Sequence, residues 1–201
     1  MTETKQRLPK EARRQAVLDT ACRVFSRLSY RGATTAEIAR EAGISEPILY
    51  RHFGSKRDLY LACLDEAWQT FREEAAKAIA EDPVGCLGAI SDRYMAKGAR
   101  FRVVDLWIQA LTEATEDPVI AKALRRQIRD MHDFIADVIR DGQQRGVVHA
   151  DRDAEAEAWI FVGGGLLATM DSRLGSLLGD DLQRVRTERR RWMLADPQET
   201  A

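Results

Sequence analysis

Between Thr34 and Tyr60 the chain reads TTAEIAREAGISEPILYRHFGSKRDLY, a run whose side chains suit hydrogen bonding to the phosphates and base edges of DNA. Wound as a helix at about 100° per residue, Glu46, Pro47, Tyr50 and Arg51 share one arc, and Ile48, Leu49, His52 and Phe53 occupy the rest. One side is suited to a core and the other to the DNA major groove, where the first residues of a recognition helix meet base edges. Glu46 either accepts from a cytosine N4 amine or serves the helix cap. Lys56 and Arg57 follow at the start of another helix. Cations are unfavourable there because the macrodipole already places positive partial charge at that end, so their presence points to an anion such as a phosphate.

The elements that position these groups have local start and stop signals. Thr34 with Glu37 three residues later forms a capping box, and Ile38, Ala39 and Ala42 give the short helix an apolar face. Gly43 can take the left-handed conformation that ends it. Ser45 can cap the next helix, with Pro47 in the first turn, where a missing N–H costs nothing. The expected unit is a helix-turn-helix.

The pattern T-x-x-x-I-A-x-x-A-G-I-S-x-x-x-L-Y-x-H-F-x-S-K-x-x-L, preceded by a helical segment from Glu11 to Leu28, resembles the tetracycline-repressor (TetR) family of bacterial regulators over roughly residues 8 to 62. The resemblance implies phosphate contacts from Tyr50, His52 and Lys56 and from the helix-start threonine, either Thr34 or Thr35. It also implies base reading near Glu46, Pro47 and Ile48, with Arg51 just beyond. It further implies a four-helix dimer bundle built from the last two helices, and a small-molecule cavity in the helical body.

Charge divides the chain at the same place. Residues 1 to 57 hold 12 Lys/Arg against 6 Asp/Glu, and the remaining 144 hold 19 against 26. A basic module on an acidic body orients toward DNA. Cys22, Cys63 and Cys86 are widely spaced and lack a C-x-x-C, which argues against a disulfide framework or a zinc site. Met1 to Lys10 does not read as a secretory leader, and the apolar run Ala158 to Met170 is too short to span a bilayer, so a cytoplasmic location without membrane contact is expected.

Apolar residues recur at spacings of three and four nearly throughout, which predicts an all-α chain. Residues 1–57 form an N-terminal three-helix DNA-binding domain whose last helix continues into the body, and 58–201 a larger ligand-binding and dimerisation domain. Helices are expected over about Ser55 to Ala80, Val84 to Lys97, Phe101 to Glu116, Pro118 to Arg145, from Asp151 or Asp153 to Leu178, and Asp181 to Leu194. Ile120, Leu124, Ile128, Met131, Ile135 and Val138 mark a buried stripe.

The helix Ala154 to Leu178 is apolar nearly all round. Trp159, Leu166, Leu167, Met170 and Leu174 are assigned to one side, and Phe161, Gly164 and Ala168 to the dimer interface. Large apolar residues on the middle helices, Tyr94, Trp107, Ile108, Leu111, Met131 and Phe134, with His132 beside them, are the expected ligand pocket for an apolar or aromatic effector. The composite expectation is a homodimeric repressor that binds a palindromic double-stranded DNA operator and responds to a small molecule, with no metal and no cofactor. A ligand-independent architectural DNA-binding protein is the alternative. A helical enzyme is disfavoured, because no metal-ligand cluster, nucleophile elbow or phosphate loop is visible.

Overall fold

The structure, a computed structural model, describes residues 9–82, 87–90 and 103–195. Its eight labelled helices are α1 (Lys10–Gly32), α2 (Thr35–Glu41), α3 (Glu46–His52), α4 (Lys56–Glu81), α5 (Val103–Ala114), α6 (Pro118–Gln144), α7 (Ala154–Arg173) and α8 (Asp181–Met193). Residues 87–90 form a further helical turn, while most of the helix expected over Val84 to Lys97 lies outside the described residues. Among those described, the only β pairing is an isolated bridge between Val148 and Leu194.

Two levels of structure share one apolar core. Val17, Leu18, Ala21, Val24 and Phe25 of α1 bury against α2, α3 and the start of α4, with Ile38, Ala39 and Leu49 closing the small module. The 26-residue helix α4 then runs on into the body, burying Leu59, Tyr60, Cys63, Leu64, Ala67 and Trp68 along its length. It therefore crosses the boundary expected at residue 57. In the body α6 lies against α5, α4 and α7, and its stripe is buried as the periodicity predicts, with Ile128 half-buried. Cys22 and Cys63 are buried free thiols, and burial pushes the Cys63 thiol up. Cys86 falls outside the described residues.

Helix boundaries follow side-chain caps. Asp117 accepts from Val119 N and Ile120 N at 2.9 and 3.3 Å, and Asp153, not Asp151, caps α7 by accepting from Glu155 N and Ala156 N. That helix stops at Arg173, short of Leu178. Gly175 and Ser176 have φ of +73° and +61°, and Asp171 Oδ1 takes the Leu178 N–H at 2.6 Å, so the chain turns away from helical geometry.

α1 is interrupted at Ser29, where φ is 66° and ψ 173°. Such a backbone is reached almost only by glycine, and a serine held there costs about 1–3 kcal/mol. Ser29→Gly is therefore expected to stabilise the chain by about 1 kcal/mol and raise its melting temperature by about 2–4 °C. Calorimetry checks this; an unchanged or lower midpoint would mean that the serine hydroxyl, 3.4 Å from the Gly32 N–H, compensates the strain.

Candidate functional site

α2 and α3 meet across a turn in which Gly43 has φ +66° and Ile44 N donates to Ala39 O at 3.0 Å. Thr34 Oγ1 accepts from Glu37 N at 3.1 Å, half of the expected box; the Glu37 carboxylate turns instead to Arg27, 3.8 Å away. Ser45 stands at the α3 N-cap without a side-chain cap bond. Glu46 is not that cap either: its Oε1 accepts a short bond from Thr35 Oγ1, whose oxygen also lies 3.1 Å from Tyr50 Oη. This Thr35–Glu46–Tyr50 cluster braces α3 against α2. Thr35 is buried, Thr34 exposed, Glu46 and Ile48 half-buried, and Leu49 fully buried. Pro47, Tyr50 and Arg51 form the outward face, with Tyr50 43% exposed.

Positive charge gathers beside that face from an element the motif does not include. Lys10, Arg13 and Arg14, spaced three and four apart on α1, come near His52, and the Arg14 guanidinium lies 4.6 Å from the centre of the Phe53 ring. The K-E-A-R-R spacing was the available signal, and reading the motif alone missed it. Burial, then the charges of Arg51, Arg13, Lys10 and Arg14, holds the His52 imidazole below its ordinary value.

Lys56 and Arg57 do not stand ready as a paired phosphate clamp. The Lys56 ammonium lies 4.6 Å over the Tyr30 ring, where partial desolvation lowers its affinity for a proton. Arg57 pairs with Asp117 at 3.2 Å. The α4 dipole is answered from within: Ser55 caps Asp58 N at 3.0 Å and donates to the Asp58 carboxylate in the first turn. These contacts belong to a joint between module and body, which also contains Arg31 paired with Glu113 and Glu116 and Gln109 donating to Ser26 O at 3.0 Å.

The expected ligand residues do not form one pocket. Trp107 is core, its Nε1–H donating to Gln127 Oε1 at 3.1 Å; Ile108 is half-buried; Leu111 is half exposed. Phe134 packs edge-on to Trp68 and Phe71, and Tyr94 lies outside the described residues. A cavity of about 290 Å³ does exist, between α7 and α8, and of the described members of that set only Met131 lines it. Phe71, Val104, Phe161, Leu167 and Met193 supply much of its apolar wall. Gly164 and Ala168, expected at a dimer interface with Phe161, line it too, Ala168 being buried within the chain. Trp159, Leu166 and Met170 of α7, with Leu174 just beyond its end, are exposed, as is Gly164.

One group of the described residues brings three metal-ligating side chains together: His132, Asp133 and Glu155. All three are already engaged. His132 Nδ1 lies 2.8 Å from Asp133 Oδ1 and Nε2 3.0 Å from Glu155 O, and the Glu155 carboxylate is held by Arg140. The buried imidazole also stacks on Trp159 at 4.3 Å, so the group reads as a tie between α6 and α7.

Known proteins agree with this architecture. Residues 17–63 match the family described as bacterial regulatory proteins, tetR family, and residues 86–163 match the BetI-type transcriptional repressor C-terminal domain. The chain belongs to the TetR family. It is 50% identical over 58 residues to the HTH-type transcriptional activator FasR of Mycolicibacterium smegmatis, a match spanning 29% of this chain and 26% of FasR. To the HTH-type transcriptional regulator TtgR of Pseudomonas putida it is 27% identical over 152 residues, 72% of each chain. A solved Saccharomonospora viridis protein, described as a transcriptional regulator in complex with choline, shares the fold with a TM-score of 0.76 at 23% identity, covering 93% of this chain and 100% of that one.

The protein is thus a TetR-family transcriptional regulator, all-α, with an N-terminal helix-turn-helix and a helical C-terminal region. Among the described residues no helix is long and apolar enough to cross a membrane. The depressed His52 pKa gives this regulator a measurable signature. The fold binds fewer protons here than the unfolded chain, so the stabilisation is whole above the ordinary value of 6.5 and is lost as the pH falls through the lower folded value. In an NMR titration His52 is expected to titrate below 6.5, and Arg51→Ala to move it part of the way back, because burial remains. A His52 midpoint at or above 6.5 in the free protein would contradict the assignment.

Proposed function

We propose that this regulator is a ligand-responsive repressor that binds an approximately palindromic DNA operator as a homodimer. The observation that carries it is the outward face of α3, Pro47, Tyr50 and Arg51, set among the α1 cations on a rigid α2–α3 unit. Pro47, Ile48 and Arg51 serve as base readers, with Glu46 contributing through its brace. Thr34, Tyr50 and His52 are the phosphate contacts, joined by Arg13 and Arg14. Thr35 acts behind them through Tyr50 and Glu46, and Lys56 reaches a phosphate on leaving the Tyr30 ring. Residues 1–57 act as the DNA-binding domain and 58–201 as the ligand-binding and dimerisation domain, with α4 shared between them. Repression, not activation, is favoured by the C-terminal match; FasR, an activator, aligns over only 58 residues.

The apolar row Trp159, Leu166, Met170 and Leu174, spaced at seven, four and four, supports pairing of α7 with a second copy, and Leu177, Val185 and Trp192 extend the exposed apolar surface towards α8. The α7–α8 cavity is the proposed effector site. The S. viridis protein holding choline supports a small-molecule effector for this fold.

In selection from random duplexes, wild type is expected to enrich inverted half-sites with centres about 10 bp or a multiple apart. Arg14→Ala is expected to weaken binding to selected and scrambled duplexes alike and to lower the salt slope by about 1, whereas Arg51→Ala changes base preference. Unselective wild-type binding would favour an architectural role instead. For the dimer, Met170→Glu changes a side chain that is 41% exposed in the single chain, so the protomer is expected to stay folded. A charge in a dry interface is costly, so light scattering is expected to report monomers and operator affinity to fall. A dimeric Met170→Glu with wild-type affinity would move the interface off this face.

A further inference from the structure

α8 brings arginine side chains to the α7–α8 cavity. α8 reads DLQRVRTERRRWM, with five arginines in thirteen residues. They divide by face. Arg184 and Arg191 pair with Asp181 and Glu188 of their own helix at 2.8 and 2.7 Å, away from the cavity. Arg186, Arg189 and Arg190 line it. No Asp or Glu appears among the described lining residues; the other polar side chains there are Gln183 and Thr187.

Arg186 is already engaged, and Arg189 and Arg190 differ in how they are held. Arg189 donates to Glu157 O and Oε2 at 2.8 and 2.7 Å, and burial lowers its pKa despite that partner. Arg190 is exposed and has no hydrogen-bond or ion-pair partner among the described residues. Its Nη1 faces Gly88 across the mouth, 3.8 Å from where a Cβ on that glycine would stand. A planar guanidinium with free donors at the mouth of an apolar cavity matches a carboxylate or a phosphate in charge and geometry. A cation entering the same mouth meets the unpaired Arg190 guanidinium and no described lining carboxylate.

The interior constrains the other end of the ligand. Phe71, Val104, Met131, Phe161, Leu167 and Met193 offer nothing to bond to, so a polar tail would be left unsatisfied. At about 290 Å³ the cavity is at the lower end of small-ligand pockets and holds one slender tail. At about 30 Å³ for each water-sized group, that is on the order of ten carbons. Met193 is the one buried residue of α8, and the helix is tied down at its far end by His149 N to Met193 O and Ala195 N to Val147 O, at 3.1 and 3.0 Å. α8 therefore roofs the cavity and does not fill it.

We propose that the effector is an anionic amphiphile, a single apolar chain with a carboxylate or phosphate head, seated between α7 and α8 with its head on Arg190. This rests on the effector-site reading above, and it excludes a quaternary ammonium ligand for this chain.

The test titrates the full chain by calorimetry, below micellar concentrations, with decanoate, decyl phosphate, decanol and decyltrimethylammonium. Saturable binding of an anion, with decyltrimethylammonium at least tenfold weaker, is expected, and the tighter anion identifies the head. Arg190→Gln is expected to weaken the anions at least tenfold and leave decanol unchanged. Gly164→Phe is expected to abolish all binding, because Gly164 lines the cavity and a Cβ there meets nothing within 4 Å, leaving a ring room to occupy the ligand's space. Circular dichroism verifies that both variants are folded. Equal binding of cation and anion, or folded variants that retain full anion affinity, would overturn the proposal, as would no binding by any of the four. Operator affinity measured with and without the bound anion separates the two claims: binding that leaves DNA affinity unchanged keeps the ligand class and removes the effector role.

Discussion

Tyr60 holds the two halves of this molecule in register. Its ring is fully buried, edge-on to Phe25 at 5.0 Å and against Tyr30 at 4.9 Å, both on α1. Its hydroxyl donates to Leu106 O of α5 at 3.2 Å. One side chain on α4 therefore joins the DNA-binding module, the long shared helix and the body. Desolvation drives its pKa far up, so the hydroxyl stays a donor at any physiological pH. Of the surrounding ion pairs, Arg57 with Asp117 is partly exposed and worth little, while Arg31 reaches from solvent to the buried Glu113 carboxylate. They fix orientation, while the aromatic burial supplies most of the cohesion.

The helix-turn-helix was legible in the sequence because its determinants are local. Thr34 caps, Gly43 turns and Pro47 opens within fourteen residues, and each acts on backbone close to it in the chain. What lay across long separations was not legible. Lys56 and Arg57 look like an unanswered pair of cations at a helix start until Tyr30 and Asp117 are brought beside them, the latter sixty positions away. Glu46 likewise looked like a cap or a base reader because nothing local reveals its bond to Thr35.

α7 failed for a different reason. A helix apolar on every side has no periodic stripe, so its sequence does not say which face turns inward. Packing against α5 and α6 decides it, burying Ala158, Val162 and Thr169 and leaving Trp159, Leu166 and Met170 outside. The cavity was missed with it. Its arginines sit on α8, where charge dense enough to look like an ordinary solvated helix hides a split between two faces.

Three consecutive residues of α5 connect the cavity with the joint. Val104 lines the cavity, Asp105 is held by Arg173 of α7 through its carboxylate and its carbonyl, and the Leu106 carbonyl receives Tyr60. A ligand that displaces Val104 or shifts α7 therefore acts on the same helical turn that anchors α4. Allosteric coupling is typically worth about 1–3 kcal/mol, the scale of one or two net hydrogen bonds. In the proposed ligand response, loss or realignment of the Tyr60 bond and its neighbours would be enough to change the balance between DNA-competent and DNA-incompetent arrangements. That proposed response requires no chain of small displacements along the length of α4: the step from cavity to joint is one turn of α5, from Val104 to Leu106.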